Sequence, residues 1–101
     1  MRLSADQVHS IVDATRALAG PDAQVRLFGS RLHDELRGGD IDLLVECASP
    51  VARPVWLAAQ ITARLQRALG DRQIDVLVLD PATALEPVHR IARAEGVVLQ
   101  A

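Results

Sequence analysis

The stretch DIDLLVE, residues 40–46, decides how this chain is read. It begins with two carboxylates one residue apart and continues as an aliphatic run of strand length. Aspartate is depleted in strands, and a carboxylate taken out of water is costly unless something pairs with it. On a strand, residues i and i+2 project from one face. Asp40 and Asp42 therefore point together, while Ile41 and Leu43 point the other way, into a core. A second stretch, QIDVLVL at 73–79, repeats the anomaly with Asp75. If the two strands are neighbours, Asp75 reaches the same face and three acids converge. Unmetallated, they would raise one another's pKa. Bound Mg²⁺ would relieve the repulsion, since hard cations take carboxylate and phosphate oxygens together. Two such ions roughly 3.5–4 Å apart serve in-line displacement at phosphorus. A D-x-D beside a glycine turn is, on its own, ordinary turn chemistry, so the flanking sequence has to carry the rest.

Upstream, QVRLF at 24–28 reads as a strand that runs into Gly29-Ser30. A strand ending in Gly-Ser at a helix start offers free backbone N–H groups, and glycine lets a phosphate approach the backbone. Ser30 adds a hydroxyl donor and Arg31 adds charge toward a triphosphate. A short helix over 30–36 and a Gly38-Gly39 turn then lead back to Asp40.

Around this centre the helices are legible. Ser4 with Gln7 three positions on has capping-box spacing, and Val8, Ile11, Val12, Thr15, Leu18 and Ala19 recur at helical intervals, predicting a helix over 4–19. A second helix is expected over 54–69, with Val55, Leu57, Ala58, Ile61, Leu65 and Ala68 as its buried side. A third is expected over 83–95, with Pro87 in its first turn, and Val97 to Leu99 as an edge strand. Helices alternating with short apolar strands predict an α/β or α+β fold. We expect one small domain over 1–101, with a central sheet of three to four strands flanked by helices.

Composition narrows the function. Half of the 101 residues are hydrophobic, but aromatics make up only 2%, so the core has to be Leu, Val, Ile and Ala. A net charge of -2 argues against a broad nucleic-acid surface. Cys47 is the only cysteine, so no intrachain disulfide forms. The opening MRLSADQVHS has no apolar h-region, and no run approaches the roughly 18–20 apolar residues of a membrane span. The reading is a cytoplasmic protein.

The segment LFGSRLHDELRGGDIDLLVE, 27–46, resembles the signature of the DNA polymerase β-like nucleotidyltransferase superfamily: an apolar strand, Gly-Ser, a short helix, then Asp-x-Asp. IDVLV at 74–78 matches the place of that superfamily's third carboxylate. The length and the ending IARAEGVVLQA are similar to the minimal nucleotidyltransferases, antitoxin partners of HEPN toxins. Two departures stand out: Arg31-Leu32-His33-Asp34 follows Gly-Ser where an Ala-Arg-Gly type segment is common, and Gly39 stands where a Ser commonly precedes the first Asp. The resemblance implies the mixed sheet of the nucleotidyltransferase fold. It implies Mg²⁺, two ions by the superfamily's pattern, held by Asp40, Asp42 and Asp75. Gly29, Ser30 and Arg31 would hold the nucleotide, and ATP would be the substrate. It also implies AMP transfer to a hydroxyl of a HEPN-type partner protein. Oligomeric state stays open.

Two alternatives remain: an antitoxin that only masks its partner, and a transferase for a small molecule of the aminoglycoside type or for tRNA. The missing acceptor domain and the lack of a basic stripe argue against the latter. His9, His33 and His89 lack metal-ligand spacing, and of these His33 lies nearest the site. Cys47 reads as a small buried residue, and Trp56 as core or interface packing. Arg53, Arg64, Arg67 and Arg72 read as a solvated face, and Glu46 is left out of the site despite its strand parity.

Overall fold

Ser4 opens the first helix as its spacing predicts. Its hydroxyl accepts from the Gln7 amide at 3.1 Å, and the Gln7 side chain accepts from the Ser4 amide at 2.9 Å. The computed structural model describes residues 3–29, 40–70 and 72–100. Helix α1 (Ala5–Ala19) is followed by strands β1 (Gln24–Phe28) and β2 (Ile41–Glu46), helix α2 (Pro54–Leu69), strand β3 (Ile74–Leu79), helix α3 (Pro87–Glu95) and strand β4 (Val97–Val98). The expected helix over 30–36 and the Gly38-Gly39 turn lie outside the described residues. Among the described residues no helix is long and apolar enough to cross a membrane.

The four strands form one mixed sheet in the order β3-β2-β1-β4. Strand β1 is antiparallel to β2 and β4, whereas β2 and β3 run parallel. Parallel neighbours need a crossover, and α2 supplies it. One face of the sheet is covered by α1 and α2. There Val25, Leu27, Ile41, Leu43, Val45 and Ile74 pack with Ile11, Val12, Leu57, Ile61 and Leu65. The opposite face carries a smaller cluster of Leu44, Leu79 and Ala92, flanked by Phe28 and Leu77. Strand β2 thus contributes to both clusters, with Leu43 on one face and Leu44 on the other both fully buried.

The boundaries of β1 and α2 are as expected; others shift for identifiable reasons. Strands β2 and β3 each begin one residue late, leaving Asp40 and Gln73 just outside them. Helix α3 begins at Pro87 rather than at 83. Proline suits the first helical position, and it keeps the preceding Glu86 extended, at φ -96° and ψ 165°. Residues 80–83 are engaged in another structure. The Asp80 carboxylate accepts from Ala82 N at 3.0 Å, Thr83 Oγ1 at 2.5 Å and Val51 N at 2.5 Å, tying the β2–α2 loop to the end of β3. The Thr83 hydroxyl, with those backbone donors, holds Asp80 below its usual range. The buried side of α2 is narrower than expected. Leu57, Ile61 and Leu65 are buried, but Val55 is 85% exposed and Ala68 is also exposed. Trp56 is not in the core: it is more than half exposed, with Arg53 Cζ 5.5 Å from its ring centroid. Pro54 starts the helix, so Val55 and Trp56 lie in its first turn, where both stay exposed while Leu57 is the first residue to reach the core.

Glu46, at the end of β2, joins α3 to the sheet. Its Oε1 accepts from Arg26 Nε at 3.3 Å and Arg93 Nε at 3.1 Å, and its Oε2 accepts from Arg93 Nη2 at 3.0 Å. Burial pushes the Glu46 carboxyl up, but the Arg93 bonds and charge, with Arg26, outweigh it and leave the group below its ordinary value. A depressed carboxyl binds fewer protons folded than unfolded. Its stabilisation is therefore present above the unfolded value of about 4.3 and is lost as pH falls through the folded value. Glu46→Gln should lower stability by about 1 kcal/mol near neutral pH. The gap between variant and wild type in urea unfolding should close as pH falls below about 4.3 and through the folded value. A gap that does not change with pH would contradict this account.

Candidate active site

Pairing across the sheet brings the sequence anomalies together. Phe28, the last residue of β1, is opposite Asp42, and Asp42 is in register with Asp75. Directly paired residues share a face, so Phe28, Asp42 and Asp75 form a row on the α3 side of the sheet. The strand neighbours on which Asp75 depended are in place. Asp42 is partly buried beside the apolar cluster, and Asp75 is exposed on the edge strand β3. Asp40 is exposed one residue before β2 begins.

The electrostatics single out Asp42. Burial raises its pKa first; the charges of Asp75 and Asp40 and a hydrogen-bonding contact with Asp75 raise it further. Asp42 is therefore the central member, close enough to the other two acids to feel both. Among the described residues these acids are not drawn into a finished three-ligand cage. As a donor set they still fit a hard divalent cation: every candidate atom is a carboxylate oxygen, and the like charges they bring together are those a cation would offset.

Gly29 completes the geometry. Its φ of +78° is one that L side chains rarely adopt. A Cβ at Gly29 would overlap Asp42 Oδ2 and lie 3.2 Å from Asp42 Cγ. The backbone at the end of β1 is therefore folded directly against the central carboxylate, and no side chain fits between them. Ser30, Arg31 and His33 lie outside the described residues.

Two residues next to the acids escaped the sequence reading. Gln73 Nε2 donates to Asp75 Oδ1 at 3.1 Å. Its spacing of two from Asp75 was a signal, since it gives both residues the same strand parity. Phe28 flanks Asp42 through pairing with a strand 14 positions away in register, and nothing local announces that. Among the described residues, His9 and His89 have partners away from the acids. His9 Nε2 is 3.1 Å from Asp13 Oδ2 on α1, and buried His89 accepts from the Glu86 amide through Nδ1 at 3.0 Å. Cys47 is buried, and burial, then the Asp80 charge, pushes its thiol up, so it is a packing residue rather than a nucleophile.

Two substitutions test the packing of this site without any substrate. Gly29→Ala places a methyl against Asp42 in a strained backbone, and it should cost about 1–3 kcal/mol in urea unfolding. Asp42→Asn should do the opposite in metal-free buffer. A raised carboxyl binds more protons folded than unfolded, so its ionisation costs stability as pH rises from about 4 through the folded value. The variant should melt a few degrees higher than wild type at neutral pH, with a difference that vanishes in acid.

The family model of the nucleotidyltransferase domain matches residues 8–98. That span takes in Gly29, both acidic strands and all of the sheet. No curated protein matches the chain. With its acids paired on adjacent strands of a four-stranded mixed sheet, the chain belongs to the nucleotidyltransferase domain family.

Proposed function

We propose that this nucleotidyltransferase domain moves AMP from ATP to a hydroxyl of a partner protein, a HEPN-type toxin for which it is the antitoxin. The observation that carries the chemical part is the in-register pair Asp42–Asp75 with the Gly29 backbone folded against Asp42. In this reading the acid pair would bind a cation, and the Gly29 backbone folded against Asp42 would meet the phosphates beside it.

Asp40 and Asp42 would hold Mg²⁺, with Asp75 completing the set; when bound, the ion neutralises charge on the phosphates and on the departing pyrophosphate. The chain's own residues do the positioning. Gly29, Ser30 and Arg31 bind the β- and γ-phosphates through backbone and side-chain donors. Asp75, exposed on the edge strand, orients the incoming hydroxyl and accepts its proton. The hydroxyl oxygen forms a bond to the α-phosphorus as the bond to the bridging oxygen breaks, and pyrophosphate leaves. Most of the acceleration is then positioning and charge compensation. The acceptor comes from another molecule in this reading, because the described helices and strands are all engaged in the sheet and its two covered faces.

The test is transfer itself. With α-labelled ATP, Mg²⁺ and a HEPN-type partner, label should appear on the partner, and Asp42→Ala should reduce the rate at least about 10²-fold. Transfer that survives Asp42→Ala overturns the assignment of the acids. Stable binding to the partner with no label from wild type overturns protein transfer in favour of masking.

A further inference from the structure

Gln73 stands one residue before β3 and makes two separate hydrogen bonds. Its carbonyl accepts from the Ile41 amide at 2.9 Å, joining the starts of β2 and β3 between the acids of the two strands. Its side-chain Nε2 donates to Asp75 Oδ1 at 3.1 Å. The first bond belongs to the backbone and survives any ordinary substitution. The second joins two exposed side chains, and bonds of that kind contribute little to folding.

Its consequence is directional. A carboxylate at the open edge of a sheet rotates freely unless something holds it. Asp75 is held by the Gln73 amide and stands in register with Asp42 on the neighbouring strand. The carboxylate plane is thereby set relative to its neighbouring acid. The residue type matters as well. A lysine or arginine at this position would also donate, but it would cancel the negative charge that a cation needs. A glutamine amide donates while adding no charge.

We infer that Gln73 is a positioning residue, which fixes the orientation of Asp75 for a divalent cation shared with Asp42. The inference rests on the reading above that these acids hold such an ion. Outer partners that orient metal ligands typically carry about 10–100-fold in affinity.

The full chain with Gln73→Met tests this, because methionine keeps the length and the backbone carbonyl and removes only the amide. The probe is Mn²⁺, with the free ion followed by electron paramagnetic resonance, alongside thermal melting in chelator. The variant should bind Mn²⁺ at least about tenfold more weakly than wild type and melt at the same temperature without metal. If Asp42→Ala abolishes Mn²⁺ binding while Gln73→Met retains wild-type affinity, the role of Gln73 is overturned alone. If the wild-type protein does not bind Mn²⁺, the metal reading and this inference fall together.

Discussion

The parallel register of β2 against β3 is the constraint on which the rest of this structure depends. Ile41 is opposite Ile74, Asp42 opposite Asp75, and the ladder continues to Glu46 and Leu79. A slip of one residue would turn every side chain of a strand to the other face. It would drive one acid into the core and send an aliphatic residue to the surface. The core forbids this. Ile41, Leu43 and Val45 lie under α1 and α2 with Ile74, Val76 and Val78, while Leu44 and Leu79 belong to the cluster beneath α3. Backbone bonds close the ladder at both ends, from Ile41 N to the Gln73 carbonyl and from Cys47 N to the Leu79 carbonyl. The apolar pattern therefore holds the two acids side by side, although neither takes part in that packing.

The α3-side face of β2 carries Asp42, Leu44 and Glu46 in alternation, and its two carboxylates have opposite fates. Glu46 is surrounded by the Arg26 and Arg93 guanidinium groups and is held in its charged form. Asp42 is partly buried, pairs with Phe28 and has two further acids close by, and its carboxyl is raised above its ordinary value. Burial opposes ionisation at both positions, so the difference lies in the neighbouring charges. One end of the strand is a satisfied structural contact that attaches α3. The other keeps like charges together at a cost in stability, which is a common property of functional sites. Asp80 follows the structural pattern: three donors from two loops satisfy it, and it fastens the chain beyond both acidic strands.

Much of the site was legible because its parts break local rules. An Asp in the middle of IDLLV or IDVLV conflicts with strand propensity, and Gly29 at the end of QVRLF marks a backbone that needs unusual freedom. The capping box of α1 and the proline starting α2 are likewise local chemistry, and the structure has them where the sequence indicated. The misses share a cause. Val55 fits a helical period, yet it is exposed while Leu57 in the same turn is buried. The start of α3 is displaced by a turn that Asp80 builds with a distant loop. Glu46, left out of the site despite sharing the strand parity of Asp42, has partners on β1 and α3 that nothing local announces.

By itself, then, the sequence determined which segments are helices and strands, that two strands carry misplaced acids, and that a glycine ends the strand before them. These follow from the propensities and side-chain period of residues adjacent in the chain. Only the tertiary structure decided that Asp42 and Asp75 are neighbours, that Gly29 lies against Asp42, and that the Gln73 amide reaches Asp75. Those contacts depend on strand order and register, which are set by burying two apolar faces at once and are not encoded in any single stretch.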